Sequence, residues 1–163
     1  MNRLVSSCLL PVLLAAAPLA ASHTADPDLA DLLAGSDVVV LGTVHAVHGT
    51  RLDGELVTIA TVTVEESLLG DPEPSLEVVV PGAFDLDRRV PIATVVSGQA
   101  QLASGERLIL FLVRLGDGRY ALTFADTGAL TVSPGADAPL VDTTPPLPLD
   151  ELRNLISRLD AGR

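Results

Sequence analysis

Between residues 37 and 132 the chain repeats one pattern: short runs rich in valine, leucine and threonine, each ended by glycine, proline or aspartate. β-Branched residues in such runs are typical of strands. Asp53-Gly54 and residues 115–119 supply the positive φ angles that tight hairpins need. The sequence therefore predicts a mainly β domain. The predicted strands are residues 37–48, 56–66, 75–80, 89–96, 106–114, 120–125 and 129–132.

Three details indicate how these strands are arranged. Gly42 lies inside the first run and predicts a bulge or a sharp bend. Pro91 makes 89–96 an edge strand, since proline cannot donate to a ladder on both sides. The run 106–114 is apolar on both faces, which predicts a central strand covered twice. We therefore predict a small closed or partly open OB-like β-barrel of five to six strands, with an immunoglobulin-like sandwich as the alternative.

Helices are predicted at both ends of the domain. In residues 26–35, Asp26 is expected to cap a short helix and Pro27 to take its first position. Residues 149–160 predict a C-terminal amphipathic helix that docks on the sheet through its leucine stripe. The predicted organisation is a signal peptide at 1–22, the barrel domain at 23–132, a Pro-rich linker at 133–148, lying on or off the body, and the C-terminal helix at 149–163.

The first residues predict export. Arg3 precedes an apolar run over 4–21, and Ala20 and Ser22 are small residues suited to cleavage after Ser22. The predicted location is secreted or periplasmic, by bacterial export; an uncleaved membrane anchor is the competing interpretation. Lipid attachment at Cys8 is disfavoured, because most of the apolar run follows it. Cleavage would remove Cys8, the one cysteine, which excludes disulfides, thiolate metal sites and a cysteine nucleophile.

Charge and composition exclude several classes of partner. The chain has 21 acidic and 10 basic residues, the basic ones all arginine, and a net charge of −11. Nucleic acids and anionic membranes need clustered positive charge, so neither is an expected partner. Aromatic residues make up 2% and tryptophan is absent, which leaves little for stacking on bases or sugars. No membrane span is expected after cleavage of the signal.

The histidines are the first candidates for chemistry. His45 and His48 would share one face of a helix, but on a strand residues three apart point to opposite faces. A shared metal there would require a bulge, and solvated histidines at a strand end are the competing interpretation. His23, near the expected new N-terminus, could chelate copper or nickel only loosely.

The remaining candidates also have simpler structural explanations. Ser97-Gly98 and Ser104-Gly105 are typical of turns, and no nucleophile motif surrounds either serine. Asp85 and Asp87, in a predicted loop tip at 84–89, lack the further oxygen ligands of a calcium loop. Arg88 and Arg89 are expected to pair with these acids, and Glu65-Glu66 is a further carboxylate pair. The sequence therefore predicts no catalytic, cofactor-binding or metal-binding residues, and a protein that is not an enzyme.

The order of the elements resembles a known family. Residues 37–44, 62–70 and 105–112 resemble the netrin-module and tissue-inhibitor-of-metalloproteinases type of OB barrel. The resemblance implies a five-stranded closed sheet whose loops bind protein. Leu69 stands where the family often has lysine. The family's inhibitors also use an N-terminal cysteine, which the cleaved chain would lack, so no inhibitory residue is carried over.

These observations lead to one expected function and two alternatives. We expect an exported, monomeric, non-catalytic β-barrel module that binds an unknown protein or envelope partner; this role extends to inhibition of a secreted hydrolase. The first alternative is a secreted metal-dependent hydrolase that uses His45 and His48. The second is a structural component of the cell envelope.

Overall fold

The computed structural model describes residues 28–85, 92–135 and 138–162. Predictions for residues 1–22, His23, Asp26, Pro27, 87–89 and Pro91 lie outside these residues. The helices are α1 (Leu29–Ala34) and α2 (Leu149–Asp160). The strands are β1 (Val38–Leu52), β2 (Glu55–Leu69), β3 (Ser75–Pro81), β4 (Ala83–Asp85), β5 (Ile92–Thr94), β6 (Arg107–Arg114), β7 (Tyr120–Leu122), β8 (Ala129–Ser133), β9 (Leu140–Val141) and β10 (Leu147–Pro148).

Five strands form a ring. The main sheet runs β1-β2-β3-β7-β6-β8-β9-β10, and an added pairing of β1 with β6 closes β1, β2, β3, β7 and β6 on themselves. Within the ring only β3 and β7 pair in parallel; the other ring pairings are antiparallel. Strands β4 and β5 form a separate two-stranded sheet. The prediction of a mainly β fold with a small closed sheet and two helices is confirmed.

Two cores share the wall formed by β1 and β6. Because side chains alternate along a strand, Val40 and Leu110 face into the ring while their neighbours Val39 and Phe111 face outward. The predicted double covering of β6 is confirmed. The inner core comprises Val38, Val40, Val44, Ala60, Val62, Leu76, Val78, Val80, Leu102, Leu108, Leu110, Leu112 and Tyr120. The outer core comprises Leu32, Leu33, Val39, Leu41, Ile109, Phe111, Val132, Val141, Leu149, Leu152 and Ile156.

The N-terminal helix starts later than expected. α1 begins at Leu29, and its N-cap is Asp28, whereas the sequence predicted Asp26. Asp28 accepts a hydrogen bond from the Asp31 backbone N–H at 2.9 Å, and the Asp31 carboxylate accepts one from the Asp28 N–H at 3.3 Å. This reciprocal capping box satisfies two N–H groups at the helix start, which fixes the boundary. Gly35 is the C-cap, as predicted.

The C-terminal helix and the segment before it cover the outer face of the ring. α2 has the predicted bounds and buries Leu149, Leu152 and Ile156 in the outer core. The segment predicted as a linker contributes β9 and β10, and its buried Val141 pairs with Val132 of β8. Its described part therefore lies on the body. In the described part of the chain, no helix has the length and apolar character needed to cross a membrane.

Candidate functional site

Past its pairing with β6, strand β1 continues over residues 44–52 and forms, with the part of β2 paired to it, an arm; β2 itself stays paired with β3 from Val57 to Thr63. β6 pairs with β1 only as far as Thr43, whereas β1 and β2 stay paired to a tight turn at Asp53 and Gly54, both with positive φ. This hairpin turn was predicted, but β1 was expected to end at residue 48. The arm therefore projects beyond the end of β6 and leaves one end of the ring open on its inner side.

A bulge at His45 bends the arm. Val44 pairs with Val62 and Ala46 with Thr61, so β1 has one more residue than β2 at this point. Two hydrogen bonds from the following turn hold the bulge: the Ser104 hydroxyl donates to the His45 carbonyl, and the Gly105 N–H donates to the Val44 carbonyl, both at 2.8 Å. The inner face then continues at Val47, which pairs with the buried Ala60.

A groove of about 220 Å³ lies between the arm and the segment that crosses the open end of the ring. The arm side contributes Val47 and Thr58, and β3 contributes Val80. The opposite side is formed by Ala83, by 94–96 and by 99–102. Among the described residues that line this groove none carries a charge, although the whole chain carries −11.

Valines form an exposed rim along the groove. Val95 is 72% exposed, Val96 39% and Val47 37%. The hydroxyl of Thr58 points to the Gly82 carbonyl, to which it donates a hydrogen bond at 2.6 Å, so this hydroxyl is already engaged. Removing apolar surface of this kind from water is favourable by roughly 25 cal/mol per Å², before the costs of association are subtracted. The groove therefore favours an apolar ligand, and besides Thr58 its polar side chains are those of Thr94, Gln99 and Gln101.

The two candidate histidines are exposed and do not form a metal site with a third ligand. The bulge breaks the strict alternation on which their expected separation rested, so the opposite-face argument does not apply at His45. His48 pairs with Ile59 on the outward side of the arm. Within residues 28–85, 92–135 and 138–162, no group of three or more histidine, cysteine, aspartate or glutamate side chains could hold a metal ion.

The adjacent carboxylates of Glu65 and Glu66 have different partners. Glu65 accepts hydrogen bonds from the Thr43 hydroxyl at 2.6 Å and from the Arg107 Nε at 2.8 Å. Glu66 accepts from Arg153 of α2, which ties the helix to the sheet. Because each carboxylate is held by its own cation, they do not form a paired acid and base. The hydroxyl of Thr43 and then the side chain of Arg107 lower the pKa of Glu65.

The Glu65 contacts predict a pH dependence with a defined sign. A lowered pKa in the folded state means that the contacts stabilise the fold above the ordinary value of 4.5, and that this contribution is lost as pH falls through the lowered pKa. We expect Thr43→Val to raise the Glu65 pKa toward 4.5, measured by NMR titration, and to change stability by less than about 1 kcal/mol. A Glu65 pKa unchanged by this substitution would contradict the assigned contact.

The other candidates take structural positions. Ser97-Gly98 and Ser104-Gly105 form turns, as predicted, with positive φ at both glycines. The prediction of a loop tip is wrong for Asp85, which belongs to strand β4, where its backbone pairs with Ile92. Asp87 lies outside the described residues.

A second, polar depression near the β6–β7 turn contains Glu73, Glu77, Asp117 and Arg119. There Arg119 binds Asp117 and lowers the pKa of that carboxyl. The charges of Arg119 and Asp117 in this depression therefore neutralise each other.

Sequence reasoning missed the groove, because its lining comes from all five strands β1 to β5 and from the segment after β5. One signal was present: residues 89–96 were predicted as an edge strand, and β5 pairs with β4 alone among the described strands. Comparisons with known proteins add no assignment. No protein-family model matches the chain, and neither a curated protein nor a solved structure matches it.

Proposed function

We propose that this chain is an exported, non-catalytic module that binds a protein partner through the groove at the open end of the ring. The observation that carries this function is an uncharged apolar groove with a rim of exposed valines. Exposed apolar residues that cluster beside a concave surface favour protein contact. Export rests on the sequence of residues 1–22.

The state of the reactive side chains supports a binding role over catalysis. Glu65, Glu66 and Asp117 are each engaged by an arginine, and the Ser104 hydroxyl donates to a backbone carbonyl. A catalytic nucleophile or base needs a partner that activates it and free access to substrate. No observation favours the metal-dependent hydrolase that His45 and His48 suggested.

Site-specific photo-crosslinking tests this function. A photoreactive phenylalanine replaces Val96 on the groove rim in one variant, and Leu159 on α2 in the matched control. The two side chains have nearly equal exposure, at 39% and 40%. After irradiation of cells that make the protein, we expect an adduct of defined mass from position 96 that position 159 does not give.

A second substitution separates specific capture from adventitious contact. Adding Val95→Arg to the position-96 variant places a charge on the rim of the uncharged groove, and we expect it to abolish the adduct. No adduct at position 96, the same adduct at both positions, or an adduct that survives Val95→Arg would overturn the proposed function.

A further inference from the structure

Among the described strands, β5 has a partner along one edge only. It pairs with β4 through Thr94, Ala93 and Ile92, and with no other described strand. Apart from this pairing, residues 93–96 make no backbone hydrogen bond to another backbone group in the described part of the chain. Along the far edge of β5 and its continuation, the N–H and C=O groups of alternate residues therefore have no backbone partner among the described residues.

The exposed residues 93–96 lack two of the usual protections against pairing. Natural edge strands are blunted by short length, charged side chains, prolines or covering segments, and β5 itself has the first of these, at three residues. Residues 93–96, Ala-Thr-Val-Val, contain neither a charged residue nor a proline, and all four are exposed. Val95 is the most exposed large apolar residue among those described, at 72%. An exposed edge without charge or proline over residues 93–96 favours pairing with another extended segment.

The same residues line the groove. Thr94, Val95 and Val96 form part of its wall, so a strand added along β5 would lie beside the groove. Because side chains alternate along a strand, every second side chain of the added segment would face the groove. A charged side chain buried against the uncharged lining would lose its hydration without gaining a partner. The lining thus selects uncharged side chains, and the backbone edge selects an extended chain.

From these two features we infer that the partner protein contributes an extended, uncharged segment that adds as a strand to the free edge of β5. This inference rests on the proposed function and specifies how the same groove is filled. In β-strand addition, backbone hydrogen bonds supply affinity and the groove supplies selectivity. A second copy of this chain is a poorer occupant, since each copy carries −11 and the two would repel.

Peptide probes with blocked edges test the inference on the purified chain. The probe is Ser-Val-Thr-Val-Ser-Val-Thr between Gly-Ser ends. It is compared with two forms whose backbone nitrogens are methylated, one at the valines and one at the other residues. Each form blocks one edge of the peptide. We expect one form to lose at least about tenfold in affinity and the other to bind like the parent. Amide exchange should slow at alternate residues of 93–96, those whose N–H groups point to the free edge.

Charge substitutions provide the matched control. An aspartate-for-valine version of the peptide should not bind. Val95→Arg should weaken binding of the parent peptide by at least about tenfold. Thr131→Arg, at an exposed position of β8 outside the groove lining, should leave binding unchanged.

The outcomes separate the inference from the function beneath it. Equal affinity of both N-methylated forms would mean that the groove binds side chains without strand pairing, which overturns the inference and keeps the function. If the peptide does not bind but position 96 gives a specific adduct, the inference is likewise overturned and the function is kept. Absence of both would overturn both.

Discussion

Replacing Phe111 by alanine is expected to lower the free energy of unfolding by about 3–5 kcal/mol. Phe111 lies in β6, is fully buried in the outer core, and pairs across the sheet with the equally buried Val39. Alanine would remove the largest side chain of the outer core and leave a cavity that the surrounding strands and helices cannot fill. Urea unfolding followed by circular dichroism measures the change.

Phe124 provides the matched control for Phe111. It is 50% exposed at the turn after β7, so the same truncation removes few buried contacts. We expect Phe124→Ala to change stability by less than about 1 kcal/mol. Equal losses for the two substitutions would contradict the placement of Phe111 between two packed layers.

Gly42→Ala is expected to destabilise the fold by about 1–3 kcal/mol, although it adds a single methyl group. A Cβ at Gly42 would lie 2.7 Å from the Thr63 carbonyl oxygen and 2.8 Å from a methyl carbon of Val62, both on the paired strand β2. The backbone oxygen cannot rotate away, so β1 and β2 would have to separate. The measurements are urea unfolding and amide exchange along β1.

Gly116→Ala is the control for added volume at a glycine. A Cβ at Gly116 would meet no atom within 4 Å, and the residue is not in the left-handed region. We expect the free energy of unfolding of the Gly116→Ala protein to stay within about 0.5 kcal/mol of that of the parent. A Gly42→Ala protein as stable as the Gly116→Ala protein would show that the strands do not approach as described.

The strands of the ring were predictable where packing on both sides leaves a strong pattern. β6 (Arg107–Arg114) and β3 (Ser75–Pro81) fall within a residue of their predicted bounds, because their apolar runs end at polar residues or prolines. β1 extends beyond its prediction to Leu52, since the residues of the arm are mostly exposed and carry no alternating apolar signal. Gly42 marked a bulge correctly, as the register shift after Leu41 confirms.

Other features depend on contacts between distant residues and left no local signal. The two-residue strands β9 and β10 exist because Val141 is buried against β8, and their sequence is Pro-rich. The bulge at His45 is held by Ser104 and Gly105 from another part of the chain, and no glycine marks it. The groove likewise assembles from four separate segments. Of the candidate site, the sequence indicated only the edge character of β5.

Closure of the ring constrains the order in which the chain can fold. The β1–β2 hairpin is local and forms around the Asp53-Gly54 turn, but β1 also needs β6, through pairs such as Val38 with Leu112. The parallel pairing of Val78 with Tyr120 needs most of the domain as well. Contacts this distant in sequence place folding on the millisecond-to-second scale. A chain that emerges N-terminus first must therefore keep the second edge of β1 unpaired until residue 112 has followed.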